Sequence, residues 1–273
     1  MFQRFAGAAL RRRRASPAVI FLAAAALLSV ALGAGRPRAD PLAAQPVQPV
    51  QLVQDGQGYD AAVIEGFRKV AVASVADAVD KIAGRRGYLD HEIRPRISEK
   101  RVVGPAVTIL EGPTRESVAP QHALDAIDES PEGSVLVIAI DGEPDVALWG
   151  GLMTAGAVAN GLEGAILDGG VRDIEEITAN YGFPIFSRSV SPGTSVGRFK
   201  TLASNVPVTI GGITIHPGDL IVAGVDGVIV VPRAHARAVL QMAQEIDKRE
   251  AEQTETILKL RSLREGLKKY GRI

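Results

Sequence analysis

The alternation of apolar and polar positions changes character along the chain, and each change marks an element. Residues 64–82 place Val70, Val72, Val75, Val79 and Ile82 at helical spacings, and Ser74 or Asp77 could cap a second segment after a break. Residues 101–110 read as a strand, with Gly104-Pro105 marking a bulge or an edge. A short helix over 119–126 follows, and a turn at Pro131-Glu-Gly133. Residues 134–140 form a continuous apolar run, the signature of a strand buried on both faces. Asp141-Gly-Glu-Pro144 predicts a turn and 146–149 a short strand or loop. Gly150-Gly151 then opens an alanine-rich helix over 152–160 that stops at Gly161. A second buried strand over 164–168 leads through Gly169-Gly170 into a helix over 174–181, and 184–186 is a short strand.

Beyond that the pattern turns to short strands with tight turns. Residues 207–210 and 213–215 flank Gly211-Gly212, a two-residue hairpin signal. Residues 220–223 and 228–232 are strands, and 234–269 is a long charged helix. Its apolar stripe (Val239, Met242, Ile246, Ile257, Leu260, Leu263, Leu267) would suit a partner subunit. Strand–helix alternation followed by a run of strands predicts an α/β sandwich with a mixed, β-rich sheet and a long C-terminal helix.

The first 58 residues do not fit that domain. Residues 1–14 carry five arginines, four of them consecutive at Arg11–Arg14, and residues 17–34 are almost entirely apolar. A basic start, an apolar run and small residues beyond it describe an export signal within residues 1–44. The run also approaches the ~20 residues that span a bilayer, so an uncleaved anchor is the competing reading. The protein is therefore expected to be exported, periplasmic or secreted, or held at a membrane by this segment alone. Residues 45–58, with Pro46, Pro49 and interspersed glutamines, read as a linker. The remaining 59–273 suffice for one well-buried domain.

Composition narrows the chemistry. The chain has no cysteine, which removes disulfides, thiolate nucleophiles and cysteine-ligated zinc. Formal net charge is zero and the Lys/Arg clusters sit at the two ends, so nucleic acid is not an expected partner. His91, His122, His216 and His235 show no metal-ligand spacing, and no nucleophile elbow or phosphate loop is present.

Two strand ends carry candidate chemistry. At Gly150, Gly151, Leu152 and Met153, paired glycines enter a helix, where the backbone can approach a ligand and free N–H groups can bind an anion. Asp168-Gly-Gly-Val-Arg-Asp173 also follows a buried strand and opens a helix. Arg172 can hold a carboxylate by its guanidinium fork, and Asp173 can ligate Mg²⁺ or Mn²⁺. Each stretch alone is equally well read as a capped helix start. Together they supply backbone donors, a cation and a metal ligand, which suits a small carboxylate bound beside a metal ion.

The segment from Gly150 to Asp173 resembles the RraA-like family, which includes the 4-hydroxy-4-methyl-2-oxoglutarate/4-carboxy-4-hydroxy-2-oxoadipate aldolases and the regulators of ribonuclease E activity. Ser74-Val-Ala-Asp-Ala-Val79, Gly104-Pro-Ala-Val107, Gly133-Ser-Val-Leu-Val137, His216-Pro-Gly-Asp219 and Asp226-Gly-Val-Ile-Val-Val-Pro232 follow the family's course. The resemblance implies a metal-dependent class II lyase that cleaves 4-hydroxy-2-oxo diacids to pyruvate, with oxaloacetate decarboxylase activity. It implies that Gly150, Gly151, Leu152 and Met153 bind the pyruvate moiety, that Arg172 holds its carboxylate and the enolate oxygen, and that Asp173 ligates Mg²⁺ or Mn²⁺. It further implies a homotrimer or hexamer in which an acid from a neighbouring C-terminal helix reaches the site, with Glu250 the best match and Glu252 and Glu245 behind it. The aldolases usually carry an acidic residue where Gly151 stands, which leaves the proton-transfer step without a visible partner. The alternative is a non-catalytic, oligomeric binding or regulatory protein on the same fold.

Overall fold

The computed structural model describes residues 58–140 and 145–271. The proposed signal, most of the linker and the turn at 141–144 lie outside the described residues. Among the described residues no helix is long and apolar enough to cross a membrane.

The chain runs α1 (Ala61–Lys69), α2 (Val72–Ala83), β1 (Arg94–Pro95), β2 (Val102–Pro113), α3 (Gln121–Glu129), β3 (Val135–Ile140), β4 (Ala147–Trp149), α4 (Gly151–Ala159), β5 (Gly164–Val171), α5 (Ile174–Asn180) and β6 (Ile185–Val190). It continues through β7 (Phe199–Ser204), β8 (Val208–Ile210), β9 (Ile213–Ile215), β10 (Leu220–Gly224), β11 (Gly227–Val231), α6 (Ala236–Leu260) and α7 (Leu263–Tyr270). The main sheet has the order β1-β6-β5-β3-β2-β10-β11, with β4 added beside β5 and β7 beside β2. Strands β2, β3, β5 and β6 pair in parallel, whereas β10, β11 and β7 join antiparallel. A bridge between Tyr88 and Ile229 and the bond from Leu89 N to Val228 O bring the approach to β1 against β11, so the sheet nearly closes on itself. This is the α/β architecture with a mixed, β-rich sheet that the patterning predicts.

Three apolar clusters hold the layers. One lies between the sheet and α3, α4 and α5, around Trp149, Leu136, Ile138, Leu167 and Phe183. The second fills the inside of the curled sheet under the β8–β9 hairpin. The third joins α1, α2 and α6 to β10 and β11. Burial on both faces explains the unbroken apolar runs of β3 and β5, whose side chains reach the first two clusters alternately.

Several boundaries differ from the expected ones for identifiable reasons. The break expected within 64–82 falls at extended Val70 and Ala71, and the second helix starts at Val72, ahead of Ser74 and Asp77. Arg101 Nη2 donates to Val70 O, and Ala71 N donates to Asp247, so the break is hydrogen-bonded from outside. Gly104-Pro105 is neither bulge nor edge: β2 lies inside the sheet, and Pro105 precedes the first residue paired to β3. A Cβ at Gly104 would stand 2.1 Å from Gly133 O, so only glycine lets the backbones approach there. Strand β5 runs through Gly169 and Gly170 to Val171, because β4 packs closely against both glycines. Strands β1 and β7 were not expected. The C-terminal helix breaks at Arg261, which takes the left-handed conformation, and Ser262 caps α7. Gly266 of α7 then packs on Ile257 and Gln253 of α6, so the predicted single stripe folds back on itself.

Candidate active site

The site is assembled where β4 and β5 end side by side. Arg172 N donates to Trp149 O at 3.1 Å, which ties the end of β5 to the last residue of β4. Trp149 is buried, stacks near Phe183, and donates its indole N–H to Thr154 Oγ1 at 2.8 Å. Thr154 Oγ1 donates in turn to Gly150 O at 3.0 Å. This chain of bonds fixes the Gly150–Gly151 turn from below and aims the first turn of α4 outward.

Asp173 is the N-cap of α5 and sits at φ 60°, ψ 35°, a left-handed conformation that a non-glycine residue adopts at a cost. Its side chain does not cap α5. Oδ2 accepts from Gly151 N at 2.9 Å, at the start of the neighbouring helix α4. Arg172 Nε lies 3.5 Å from the same oxygen, and both side chains remain partly exposed. Gly150 is required by this arrangement: a Cβ there would fall 2.6 Å from Asp173 Oδ2 and 3.0 Å from Arg172 Nε. The N–H groups of Leu152 and Met153 belong to the first turn of α4 and have no intrahelical acceptor. Two shallow depressions flank Asp173, one of about 360 Å³ bounded by Asp173, Ile174, Glu175 and Glu176, the other of about 280 Å³ bounded by Arg172, Asp173, Ile174, Val190, Ser191 and Pro192. Leu152, in the first turn of α4, is 90 % exposed.

Glu176 is the residue that sequence reasoning missed. A Cβ built on Gly151 would meet the Glu176 carboxylate at 2.7–2.9 Å. The Glu176 carboxylate, arriving from α5, thus occupies the space that a side chain at position 151 would enter. Glu176 lies three residues after Asp173, one helical turn along the same face, and that spacing is the signal that could have found it.

Asp168 belongs to a different structure. It is largely buried and accepts from Arg188 Nε at 2.9 Å and from Arg188 Nη2. Arg188 also pairs with Glu92 at 2.6 Å. Burial raises the Asp168 carboxyl above its ordinary range, and the Arg188 contact opposes that rise. The Asp168 end of the motif therefore braces β5 against β6, and only its Arg172-Asp173 end faces the depressions. Glu250 is exposed on α6, which packs on α1 and α2, so within one chain it is not joined to Arg172 and Asp173. His122 is bonded to Thr201 through Nδ1, at 2.9 Å.

Among the described residues no group of three or more histidine, aspartate or glutamate side chains converges as a ready metal cage. Asp173 nonetheless brings a hard oxygen donor to Gly151, against which the Glu176 carboxylate also lies. One or two carboxylates with several retained waters is the usual protein share of a Mg²⁺ site. The donor set fits such an ion.

Comparison with known proteins agrees with the fold and the motif. The RraA-like family model, Aldolase/RraA, matches residues 72–230. A Halalkalibacterium halodurans protein named "Putative 4-hydroxy-4-methyl-2-oxoglutarate aldolase" is 35 % identical over 185 residues, which cover 66 % of this chain and 81 % of that one. Protein DlpA of Legionella pneumophila is 33 % identical over 169 residues, 62 % of this chain but only 27 % of DlpA, so the chain spans about a quarter of that relative. The crystal structure of Streptomyces coelicolor RraAS2, described as an unusual member of the RNase ES inhibitor RraA protein family, superposes with a TM-score of 0.63 at 26 % identity, covering 74 % of this chain and 98 % of that one. The chain belongs to the RraA-like family.

Proposed function

We propose that the protein is a divalent-metal-dependent class II lyase. It cleaves 4-hydroxy-2-oxo diacids of the 4-hydroxy-4-methyl-2-oxoglutarate type to pyruvate, and it decarboxylates oxaloacetate. The observation that carries this reading is Asp173, held in a strained left-handed conformation with its carboxylate on Gly151 N, between Arg172 and Glu176. The names of the aldolase relatives support a lyase and, with it, a divalent metal in general.

Mg²⁺ or Mn²⁺, held through Asp173, would supply Lewis acidity at the 2-oxo group. The chain's own residues do the rest. The N–H groups of Leu152 and Met153 orient the pyruvate moiety, with no side chain at Gly150 or Gly151 to obstruct them. Arg172 receives the substrate carboxylate and stabilises the negative charge that grows on the enolate oxygen. One charge pair at ~4 Å is worth about 4 kcal/mol at an effective dielectric near 20, before solvent costs. Spent only in the transition state, that is about three decades in rate. Glu176 takes the 4-hydroxyl proton as the C3–C4 bond breaks and returns it to C3 of the pyruvate enolate. In the oligomer, a homotrimer or hexamer, the C-terminal helix of a neighbour brings Glu250 to the rim. Residues 1–44 export the chain or anchor it at a membrane.

Pyruvate release from oxaloacetate and from 4-hydroxy-4-methyl-2-oxoglutarate tests the proposal. Turnover is expected only with Mg²⁺ or Mn²⁺, and Arg172→Ala and Asp173→Ala each lower it at least about a hundredfold with unchanged circular dichroism. Glu176→Gln lowers kcat and leaves KM nearly unmoved. EDTA-insensitive turnover, or a fully active Asp173→Ala protein, sinks the assignment. A second reading, a non-catalytic oligomeric binding or regulatory protein, is favoured by the bare Gly151 and by likeness to a ribonuclease-inhibitor relative. It predicts calorimetric binding of a 2-oxo acid without turnover.

A further inference from the structure

We propose that the cavity at the open seam of the sheet binds a small anion that carries a flat ring. Strands β1 and β11 end the main sheet on its two sides, and only the stretch before β1 joins them. There Leu89 N donates to Val228 O at 2.9 Å, and Val230 N to Gly87 O at 2.8 Å. The chain then turns, with Ile93 N donating to Asp90 O at 3.0 Å. The turn leaves a cavity of about 770 Å³ between β1, the β10–β11 turn and the N-terminal half of α2. Small-molecule sites enclose ~300–1,000 Å³. The cavity shares no residue with the two depressions at Asp173, and α6, the helix proposed to reach a neighbouring subunit, lines no part of it.

The wall selects the ligand. Ala73, Ala76, Ile93 and Ile229 make it apolar on one side. Tyr88 lines it too, 46 % exposed, with the Arg86 guanidinium 5.1 Å from the centre of its ring. A phenol ring and a guanidinium plane are both surfaces on which another ring stacks. The charge comes from Arg86 and Arg94. Neither forms an ion pair among the described residues: Arg86 donates to Gly211 O, and Arg94 Nε donates to His91 O at 2.8 Å. A backbone carbonyl takes one N–H and leaves the positive charge unneutralised, so each guanidinium keeps donors for an oxyanion. The two acids of the wall are answered elsewhere. Asp90 accepts from Glu92 N at 3.0 Å and lies 3.1 Å from His91 Nδ1 and 3.9 Å from Arg188. Asp226 is exposed in the β10–β11 turn, where Arg101 feels its charge.

Titration calorimetry on the full chain tests this with 1-naphthoate, for which saturable binding is expected. 1-Naphthamide, the same ring without the charge, should bind at least about tenfold more weakly. Cyclohexanecarboxylate, the same charge without the flat ring, should bind about fivefold more weakly. Arg86→Gln combined with Arg94→Gln should weaken 1-naphthoate at least about tenfold. Ala73→Trp, at an exposed position of α2, sets an indole in the cavity and should abolish binding with an unchanged Tm. Arg172→Ala should bind 1-naphthoate as the wild type does, which keeps the test independent of the lyase reading. Absence of saturable binding overturns the proposal, and so does equal affinity for 1-naphthoate and 1-naphthamide. Binding that Arg172→Ala removes and the double glutamine variant retains would place the probe at Asp173 and overturn it as well. An Ala73→Trp chain that sediments as a smaller species than the wild type would assign the seam to a second copy, with the same consequence.

Discussion

Replacing Glu111 by glutamine should change how stability depends on pH. Glu111 is in β2, 1 % exposed, and neither carboxylate oxygen has a hydrogen-bond partner among the described residues. Burial pushes its carboxyl up from 4.5 to about 7. The native state therefore keeps a proton that the unfolded chain has released between those two values. Stability is fully present below about pH 4.5, falls as pH rises through about 7, and is level above that. A rise of that size corresponds to about 3 kcal/mol. Glutamine has nearly the same shape and does not titrate. Its unpaired amide costs about 1–3 kcal/mol, but equally at every pH. The quantity to read is the difference between the two proteins, because the other carboxylates cancel in it. In urea titrations from pH 5 to pH 8.5, the variant should gain about 3 kcal/mol on the wild type, or about 6–12 °C in Tm. Parallel pH profiles for the two proteins would show that Glu111 is paired or hydrated in solution, and would refute the reasoning.

Two further substitutions separate the brace from the site. Arg188→Ala leaves Asp168 buried without its cation, so it should cost about 3–5 kcal/mol in chemical denaturation, and Asp168→Asn in the same protein should recover part of that. Gly150→Ala places a methyl group 2.6 Å from Asp173 Oδ2, so it should lower pyruvate release by about two decades while moving Tm by only a few degrees. Unimpaired turnover in Gly150→Ala would mean that the Asp173–Gly151 contact is dispensable.

The parts of the fold that were legible from sequence are those in which one periodicity dominates. Strands β3 and β5 are apolar on both faces because helices cover one side and the curled sheet closes the other, and such runs announce themselves. The β8–β9 hairpin was legible because Gly211 and Gly212 both take positive φ, which few residues but glycine accept. Short strands such as β1 have too few residues to show a period. The long C-terminal helix was legible, but its end was placed too late because its apolar spacing continues across residue 261, and nothing in that spacing marks the left-handed turn of an arginine.

The site divides along the same line. Arg172, Asp173 and Gly150–Met153 could be paired from sequence because each set follows a strand and opens a helix, and parallel strands deliver such junctions to one edge of a sheet. Their detailed contacts could not be read that way. Asp168 and Asp173 carry the same group five residues apart, yet one turns to Arg188 and the other to Gly151, and the bend at Asp173 that separates them is a backbone choice. Glu176 was hidden for a related reason. Its role depends on the empty volume over Gly151, and a missing side chain becomes visible only when the neighbour that fills its place is seen. Gly151 and Glu176 therefore have to be judged together: under the proposed function, a glycine at 151 opposite any residue unable to reach it from α5 would leave Asp173 with no neighbouring carboxylate to move the proton.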